Sequence, residues 1–308
     1  MNRLLVAVLC VSIWACQSES STNNQSSNPA IEQQIESILS GMSLEEKIGQ
    51  TALRNASGVV DGQLTEELKA SVRAGHVGAF LNVMEAAQQD ELQRIAVEES
   101  PSGVPLMFAR DVIHGFKTIF PIPLGLAASW EAEQAEITGR VSSIEASQVG
   151  INWTFAPMVD ICRDSRWGRI SESPGEDPLL GSLISAAYVK GFQGDSLNQG
   201  DAMAACVKHY AAYGAAIGGR DYNSAEMHES QFRNMIMPPF QAAFDADVAT
   251  VMSSFNDING IPASGNKWLL KDVLRGEENY KGFVVSDWAS ITEMIAHGYA
   301  ADDKHAAE

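Results

Sequence analysis

Five apolar runs of the chain end on side chains that could do chemistry. These runs are MFARD, FAPMVD, ACVKH, MSSFND and FVVSDW, and they end at Asp111, Asp160, His209, Asp257 and Asp287-Trp288. A single polar residue is the usual way for a strand to leave a sheet, but five such ends that include Asp, Lys and His indicate a shared site. Carboxylates, a lysine and a histidine can hold hydroxyl groups, and an indole face can stack on a sugar ring. The pattern therefore suits a polyhydroxylated ligand.

The elements that must position these ends alternate between short apolar runs and longer helical patterns. From residue 31 onward we predict strands at HVGAFLN, VPLMFARD, NWTFAPMVD, MAACVKHY, VATVMSSFND and GFVVSDW, with a seventh near GQTALRN. Helical patterns separate the strands, and Ser43 with Glu46 forms the capping-box pattern that opens an early helix. Strand followed by helix, repeated this often, indicates a parallel sheet with helical crossovers.

Two architectures share this alternation. A closed (β/α)8 TIM-type barrel needs eight strands and about 250 residues, and we predict such an α/β barrel, incomplete at the C-terminus, over residues 31–308. The competing fold, an open doubly wound sheet, commonly binds nucleotides, but no GxGxxG follows a strand and no Walker loop is present. In the barrel, the carboxyl ends of the strands converge on one face, where the active site lies.

The overall composition is that of an ordinary soluble globular protein. The chain has 308 residues, of which 45% are hydrophobic, and its net charge is -18 with a pI near 4.7. Such an acidic surface repels a phosphate backbone, so we exclude nucleic acid as a partner. The composition leaves the oligomeric state open.

The first residues differ from the rest of the chain. MNRLLVAVLCVSIWAC, residues 1–16, has one Arg, then about a dozen mostly apolar residues, and Ala15 before Cys16. It is too short to span a bilayer and is typical of a bacterial signal peptide whose lipobox cysteine, Cys16, becomes lipidated. Plain secretion is the alternative. Residues 17–30 are rich in Ser, Asn and Gln and predict a flexible tether. We expect a periplasmic or outer-membrane-anchored lipoprotein of a Gram-negative-type bacterium, which touches the membrane only through its lipid.

Two cysteines remain beyond the signal and lipidation positions. Cys162 and Cys206 both lie in apolar surroundings, which favours buried free thiols, with a disulfide as the alternative. No CxxC or paired-histidine spacing indicates a metal site.

Eight motifs, in order, resemble the N-terminal barrel of glycoside hydrolase family 3, the periplasmic β-glucosidase type. The motifs are KIGQ, RDVIHG, FPIPLGLAASW, FAPMVDICRDSRWGRISESPGEDP, VKHYAAYGAAIGGRDYN, MPPF, NDINGIPAS and VVSDW. They are long, evenly spread and run from about residue 42 to the end. The resemblance implies an exo-acting, retaining hydrolysis of terminal β-glucosyl residues that needs no cofactor. β-Xylosidase or exo-glucanase activity is the near alternative, and a catalytically incompetent sugar-binding lipoprotein is the alternative from another class.

The resemblance also assigns roles to particular residues. Asp287 matches the nucleophile, and we expect a cation such as Lys208 to keep it ionised. Asp111, Lys208 and His209 match groups that hold hydroxyls of the terminal sugar, although a local twist must let both members of the Lys-His pair face the site. Trp288 matches an aromatic residue of the aglycone subsite. Arg169 is the best match for the sugar-binding arginine, whereas Arg163 and Arg166 are expected to pair with Asp164, Glu172 or Glu176, and His114 is expected to be structural.

Two features depart from the family pattern. Phe255 stands where many members have a tyrosine, so a hydroxyl within reach of the nucleophile is missing at this position. Retaining hydrolysis also needs a second carboxyl about 5 to 5.5 Å from the nucleophile, and in this branch it comes from a domain downstream of the barrel. The related β-N-acetylglucosaminidases use a loop histidine instead, but YAAYGAAIGGRDYN has none. We therefore expect the sequence to be part of a longer protein that supplies this acid, and the fragment alone to be inactive or weakly active.

Overall fold

The computed structural model describes residues 29–55, 59–60 and 63–308. Its parallel strands are β1 (Leu53–Asn55), β2 (Ala79–Leu81), β3 (Met107–Arg110), β4 (Trp153–Thr154), β5 (Cys206–Tyr210), β6 (Thr250–Ser253) and β7 (Phe283–Ser286). Its α-helices are α1 (Pro29–Gly41), α2 (Leu44–Gln50), α3 (Glu66–Arg73), α4 (Ala86–Arg94), α5 (Pro123–Ala127), α6 (Ala132–Ser147), α7 (Pro178–Gln193), α8 (Glu229–Gln231), α9 (Met237–Asp245), α10 (Ser290–Ala296) and α11 (Asp303–Ala307).

Shorter segments fill the connections between these elements. Stretches of π-helix cover Ile95–Glu99, Phe232–Ile236 and Trp268–Glu277, and 3-10 turns cover Ile170–Glu172, Tyr213–Ala215, Ile217–Gly219 and Ala263–Gly265. Two short antiparallel ladders pair Val59–Val60 with Gln63–Leu64 and Asp257–Ile258 with Ile261–Pro262.

The parallel strands form a barrel-like sheet in two sections. The first section has the order β1-β2-β3-β4, and the second has β5 and β7 on either side of β6. Parallel bridges from Trp153 to Ala204 and from Met158 to Lys208 link β4 to β5. Helical segments lie between successive strands. This is the α/β, TIM-barrel-like alternation expected from the sequence, and the seventh strand near GQTALRN is present as β1.

Local sequence signals account for the helix starts. Ser43 and Glu46 form both hydrogen bonds of the predicted capping box, at 3.1 and 3.0 Å, so α2 begins where expected. Asp177 caps α7 by accepting the Leu180 N–H, and Pro178 occupies the first turn, where its missing N–H costs nothing.

The apolar core has an inner and an outer part. Inside the barrel, Leu81, Trp153, Phe155, Cys206 and Met252 pack together. Outside it, a larger cluster joins β5 and β6 to α6, α7 and α9. Both free cysteines are buried, as the sequence predicted, and burial raises the pKa of the Cys206 thiol to about 12.

Two boundaries differ from the sequence prediction. The strand expected over NWTFAPMVD is reduced to β4, because Pro157 has no N–H to donate to a ladder. Helix α1 begins at Pro29 and so includes the last residues of the predicted tether, and none of its residues is buried. The predicted signal segment and Cys16 lie outside the described residues. No helix in the described ranges is long and apolar enough to cross a membrane.

Candidate active site

The barrel strands line a cavity of about 1290 Å³, whose wall includes residues from both the amino and the carboxyl ends of the strands. The charged side chains along its wall are Asp111, Arg169, Glu172, Lys208, His209 and Asp287, and its aromatic residues include Trp153, Phe155, Tyr222, Phe255, Phe283 and Trp288. The structure therefore brings together every residue of the barrel that the sequence singled out as catalytic or substrate-binding.

Asp287 follows β7 and faces the cavity. Its side chain is 13% exposed, and the Trp288 backbone N–H donates to its Oδ1 at 2.7 Å. Its Oδ2 is buried without a hydrogen-bond partner among the described residues and lies 3.4 Å from His209 Nε2. One oxygen is thus held by the backbone, while the other makes no hydrogen bond among the described residues.

Lys208 makes its closest ion pair with Asp111 rather than with Asp287. The Lys208 Nζ lies 2.7 Å from Asp111 Oδ1, and only 3% of the lysine side chain is exposed against 45% of the aspartate side chain. That a cation such as Lys208 keeps the Asp287 carboxylate ionised stays a prediction. Arg110, the residue before Asp111, contacts Asn82 and Met84.

Both members of the Lys208-His209 pair line the cavity, although neighbouring strand residues normally point to opposite faces. The pairing of β5 with β6 shifts register between Val207 and Tyr210, and this irregularity supplies the predicted twist. His209 is buried, and its Nδ1 lies 2.8 Å from Asp160 Oδ2. Burial, with the nearby Arg169 cation, lowers the pKa of His209 well below its ordinary value.

Arg169 is the arginine that reaches the cavity. Its Nε and Nη2 donate to the two carboxylate oxygens of Glu172 at 2.7 and 2.9 Å, and its guanidinium lies 5.6 Å from the centre of the Tyr213 ring. Although burial alone would raise the pKa of Glu172, the Arg169 hydrogen bonds hold it below its usual range. Glu172 therefore stays ionised at neutral pH.

The other two arginines of RDSRWGR lie elsewhere. Arg166 is largely exposed and pairs with Asp164, as expected. Arg163 lies with Glu176 and Asp177 on the wall of a separate groove. The choice of Arg169 for the cavity is thus consistent with the geometry.

Two aromatic side chains stand at the mouth of the cavity. Trp288 is 61% exposed, and Tyr222 is 48% exposed with its ring 4.4 Å from the ring of Phe255, centre to centre. The sequence identified Trp288 by its place after β7. Tyr222 was missed, because it lies in a long loop with no strand end to mark it.

Two of the five charged strand ends do not reach the cavity. Asp160 is buried behind His209, and Asp257 accepts hydrogen bonds from Ser224 Oγ and the Gly260 N–H away from it. The prediction that all five ends meet is therefore wrong for these two. His114 contacts the Phe120 carbonyl through its Nδ1 at 3.0 Å, in a loop outside the cavity wall, which fits its structural assignment.

Comparison with known proteins gives one consistent family. The sequence profile of the Glycosyl hydrolase family 3 N terminal domain matches residues 43–307. The chain is 43% identical over 272 residues to a periplasmic beta-glucosidase of Salmonella typhimurium, covering 88% of this chain. It is 31% identical over 319 residues to a putative beta-xylosidase of Formosa agariphila, covering 96% of this chain.

Solved structures agree with the sequence comparison. A beta-glucosidase from Listeria innocua, solved with glucose and, as a mutant, with laminaribiose, is 41% identical and superposes with a TM-score of 0.83 over 90% of this chain. The chain spans 35% of the length of the Salmonella relative, 42% of the Formosa relative and 40% of the Listeria chain.

Proposed function

The chain belongs to glycosyl hydrolase family 3, and from that premise we propose that it carries the nucleophile and the sugar-binding wall of a retaining, exo-acting β-glucosidase. The Salmonella and Listeria relatives are both named as beta-glucosidases, which supports glucose as the terminal sugar. The substrate is an oligosaccharide or glucoside with a terminal β-D-glucosyl residue.

The geometry of Asp287 is the observation that carries this proposal. A nucleophilic carboxylate must be held in place and still present one oxygen to the anomeric carbon. The Trp288 backbone N–H holds Oδ1 at 2.7 Å, and Oδ2 is buried 3.4 Å from His209 Nε2 without a hydrogen-bond partner among the described residues. In the first step Oδ2 bonds to the anomeric carbon as the bond to the leaving oxygen breaks, and water later hydrolyses the resulting ester.

The charged groups around Asp287 would hold the sugar. Asp111 and Lys208 form a pair that offers acceptors and donors to hydroxyl groups, and hydrogen bonds to charged groups are strong and directional. Arg169 and His209 line the same cavity on the other side of the ion pair, and Trp288 stands at the mouth, where the leaving group would lie.

The proton donor for the leaving oxygen is a separate question. The other carboxyls on the cavity wall, Asp111 and Glu172, are each paired with a cation, and the low pKa of Glu172 makes it a poor acid. Neither is therefore suited to protonate a leaving group. We propose that this carboxyl comes from the larger part of the family protein that this chain does not span.

The remaining proposals concern location and completeness. Residues 1–16 would direct export, Cys16 would carry the lipid, and residues 17–30 would tether the barrel, which over residues 31–308 contributes seven of its strands. Export is supported by the periplasmic name of the Salmonella relative.

A mechanism-based probe tests the proposal without the acid. A 2-deoxy-2-fluoro-β-glucoside with an activated leaving group needs little protonation, and we expect it to add one fluoroglucosyl group to the chain. Peptide mass mapping should place the adduct on Asp287. Glucose binding without an adduct would contradict catalysis and favour a sugar-binding protein.

The corresponding fluoroxyloside decides between the two sugars. The Formosa relative, named as a putative beta-xylosidase, motivates this second candidate. If the xylose probe labels the chain faster than the glucose probe, xylose rather than glucose is the preferred terminal sugar. Asp287 remains the nucleophile in either case.

A further inference from the structure

Asp160 lies directly behind the cavity wall, after β4. Its carboxyl is fully buried, and its Oδ2 accepts the His209 backbone N–H at 3.0 Å and lies 2.8 Å from the ring Nδ1. The loop after β5 closes over it, since a Cβ added to Gly214 would lie 3.2 Å from the Asp160 Cβ. The carboxyl thus reaches the cavity through the His209 ring.

The opposite edge of this ring faces the proposed nucleophile. His209 Nε2 and Asp287 Oδ2 are 3.4 Å apart, and both are buried without a hydrogen-bond partner among the described residues. Buried polar atoms are normally paired, so two adjacent unpaired ones point to a ligand. A neutral imidazole has one donor nitrogen and one acceptor nitrogen. The group bound at Nδ1 therefore decides what Nε2 offers to the cavity.

We propose that Asp160 is a positioning residue that fixes which ring nitrogen of His209 bears the proton, and so whether Nε2 accepts or donates toward the substrate. When Asp160 is ionised, its carboxylate keeps the ring proton on Nδ1, and Nε2 is an acceptor. In the second state the site has taken up one proton from solvent. The Nδ1 proton moves to the Asp160 carboxylate, whose O–H then donates to Nδ1, and the solvent proton binds at Nε2, directed at the Asp287 carboxylate.

The state in which Asp160 is ionised determines which class of ligand the site can bind. With Nε2 unprotonated, two buried acceptors lie 3.4 Å apart, one from His209 and one from Asp287. A vicinal diol matches them, because each of its adjacent hydroxyls can donate to one acceptor. In the second state the Nε2–H donates a hydrogen bond to the Asp287 carboxylate. The diol must break that hydrogen bond to bind. The identity of the diol as a sugar rests on the proposed function, whereas the position of the proton does not.

Charged groups from several elements face the ring. They are Asp160 after β4, Arg169 and Glu172 in the loop that continues from it, Lys208 on β5, and Asp287 after β7. Burial raises the pKa of Asp160 to about 7, against the opposing effects of the His209 backbone N–H and the Arg169 charge. Because the pKa of His209 is lowered well below that range, the ring stays neutral while Asp160 titrates.

The ring nitrogens can be observed directly in the free protein. We expect ¹⁵N NMR about one pH unit above the Asp160 pKa of about 7 to show Nδ1 protonated, and about one unit below it to show Nε2 protonated. The His209 signals are those that disappear in His209→Gln. A proton on Nε2 at the higher pH would overturn the proposal, and this measurement needs no folded Asp160 variant.

Variants separate the two carboxyls that compete for the proton. In Asp160→Asn the side chain is neutral at both pH values, so we expect Nε2 to be protonated at both. Asp287→Asn should leave the proton on Nδ1 at the higher pH. Asp257→Asn is the matched control, because Asp257 is a buried carboxyl outside the cavity wall, and it should leave the His209 signals as in the wild type. Wild-type His209 signals in Asp160→Asn would refute the role of Asp160.

Calorimetry with D-glucose tests the ligand half of the proposal. We expect wild-type affinity to fall by about tenfold from the higher to the lower pH, the equivalent of one hydrogen bond, and Asp160→Asn to bind weakly at both. Equal wild-type affinity at both pH values would overturn the selection of a diol. No glucose binding together with the expected NMR spectra would contradict the proposed function and uphold the assignment of the proton to Asp160.

Discussion

Strands β5 and β7 both supply residues to the cavity, but they are supported very differently. All five residues of β5 are buried, and the strand lies between β6 and the bridges to β4. Among the described residues β7 pairs with β6 alone, and its Phe283 is 45% exposed. The residues that would bind the sugar are thus built into the interior, whereas the proposed nucleophile follows a strand at the edge of the sheet.

The two strands also differ in how the side chains that they supply to the cavity are paired. Lys208 and His209, from β5, each have a carboxylate partner within 2.8 Å. Asp287, after β7, has one backbone hydrogen bond and one oxygen without a hydrogen-bond partner in the part of the chain that the structure describes. Changes on β5 should therefore affect both folding and binding, and changes after β7 should affect chemistry with little effect on folding.

Asp287→Asn should show the largest difference between the effect of a substitution on chemistry and its effect on stability. The amide cannot attack the anomeric carbon, so the rate of labelling by the fluoroglucoside should fall on the order of 1000-fold or more. The free energy of unfolding should change by less than about 0.5 kcal/mol, because few contacts are lost. Labelling kinetics by mass spectrometry and urea denaturation measure the two quantities. A large loss of stability would show that β7 depends on this carboxylate.

Lys208→Met should reduce both the affinity for glucose and the stability of the fold. Removal of the buried ammonium leaves Asp111 without its cation and removes a donor to the sugar, so glucose affinity should fall about 10- to 100-fold and the free energy of unfolding by about 1–3 kcal/mol. Calorimetry and urea denaturation test this. Lys267→Met is the control, since Lys267 forms an exposed ion pair with Asp272 and should change neither property appreciably.

A matched pair of valines compares the packing of the two strands. Val207→Ala in β5 removes fully buried methyl groups and should cost about 2–3 kcal/mol, whereas Val285→Ala in β7 removes half-buried ones and should cost less than about 1 kcal/mol. Urea denaturation of both variants gives the two values. Equal costs would mean that the edge strand is packed as tightly as the interior one.

The smallest expected effect belongs to the Arg169–Glu172 pair beside β5. Because the pKa of Glu172 is lowered in the folded protein, the pair stabilises the fold above the unfolded pKa of about 4.3 and loses that contribution as the pH falls through the folded pKa. Glu172→Gln should therefore cost about 1 kcal/mol at neutral pH, with the difference from wild type shrinking in acid. Urea titrations at neutral and acidic pH measure it, and a constant difference would contradict the assignment.

The sequence was sufficient for much of the fold. Apolar runs separated by helical patterns predicted each parallel strand, and the Ser43–Glu46 capping box was found at the start of α2. These features are local, since each depends on a few consecutive side chains. The reduction of β4 depended on Pro157 and on where the neighbouring strand lies, which the pattern did not show.

Site residues that directly follow a strand could be predicted from the sequence. Site residues in long loops, and the contacts between site residues, were harder to predict. The end of each strand placed Asp111, Lys208, His209 and Asp287 on one face, and the cavity contains them all. Their partners depend on contacts between residues far apart in sequence, as for Lys208 with Asp111. Asp160 was marked by its strand end, but only the path of the following loop showed that it lies behind His209.

Among the described residues one edge of β7 has no strand partner, and this has a consequence for this chain in concentrated solution. A strand edge carries unpaired backbone groups that can pair with the strand edge of another molecule. The net charge of -18 opposes such an encounter through mutual repulsion of the two molecules. Salt screens this repulsion over about 10 Å at 0.1 M. Colloidal stability should therefore be greatest at low ionic strength and decline as salt is added.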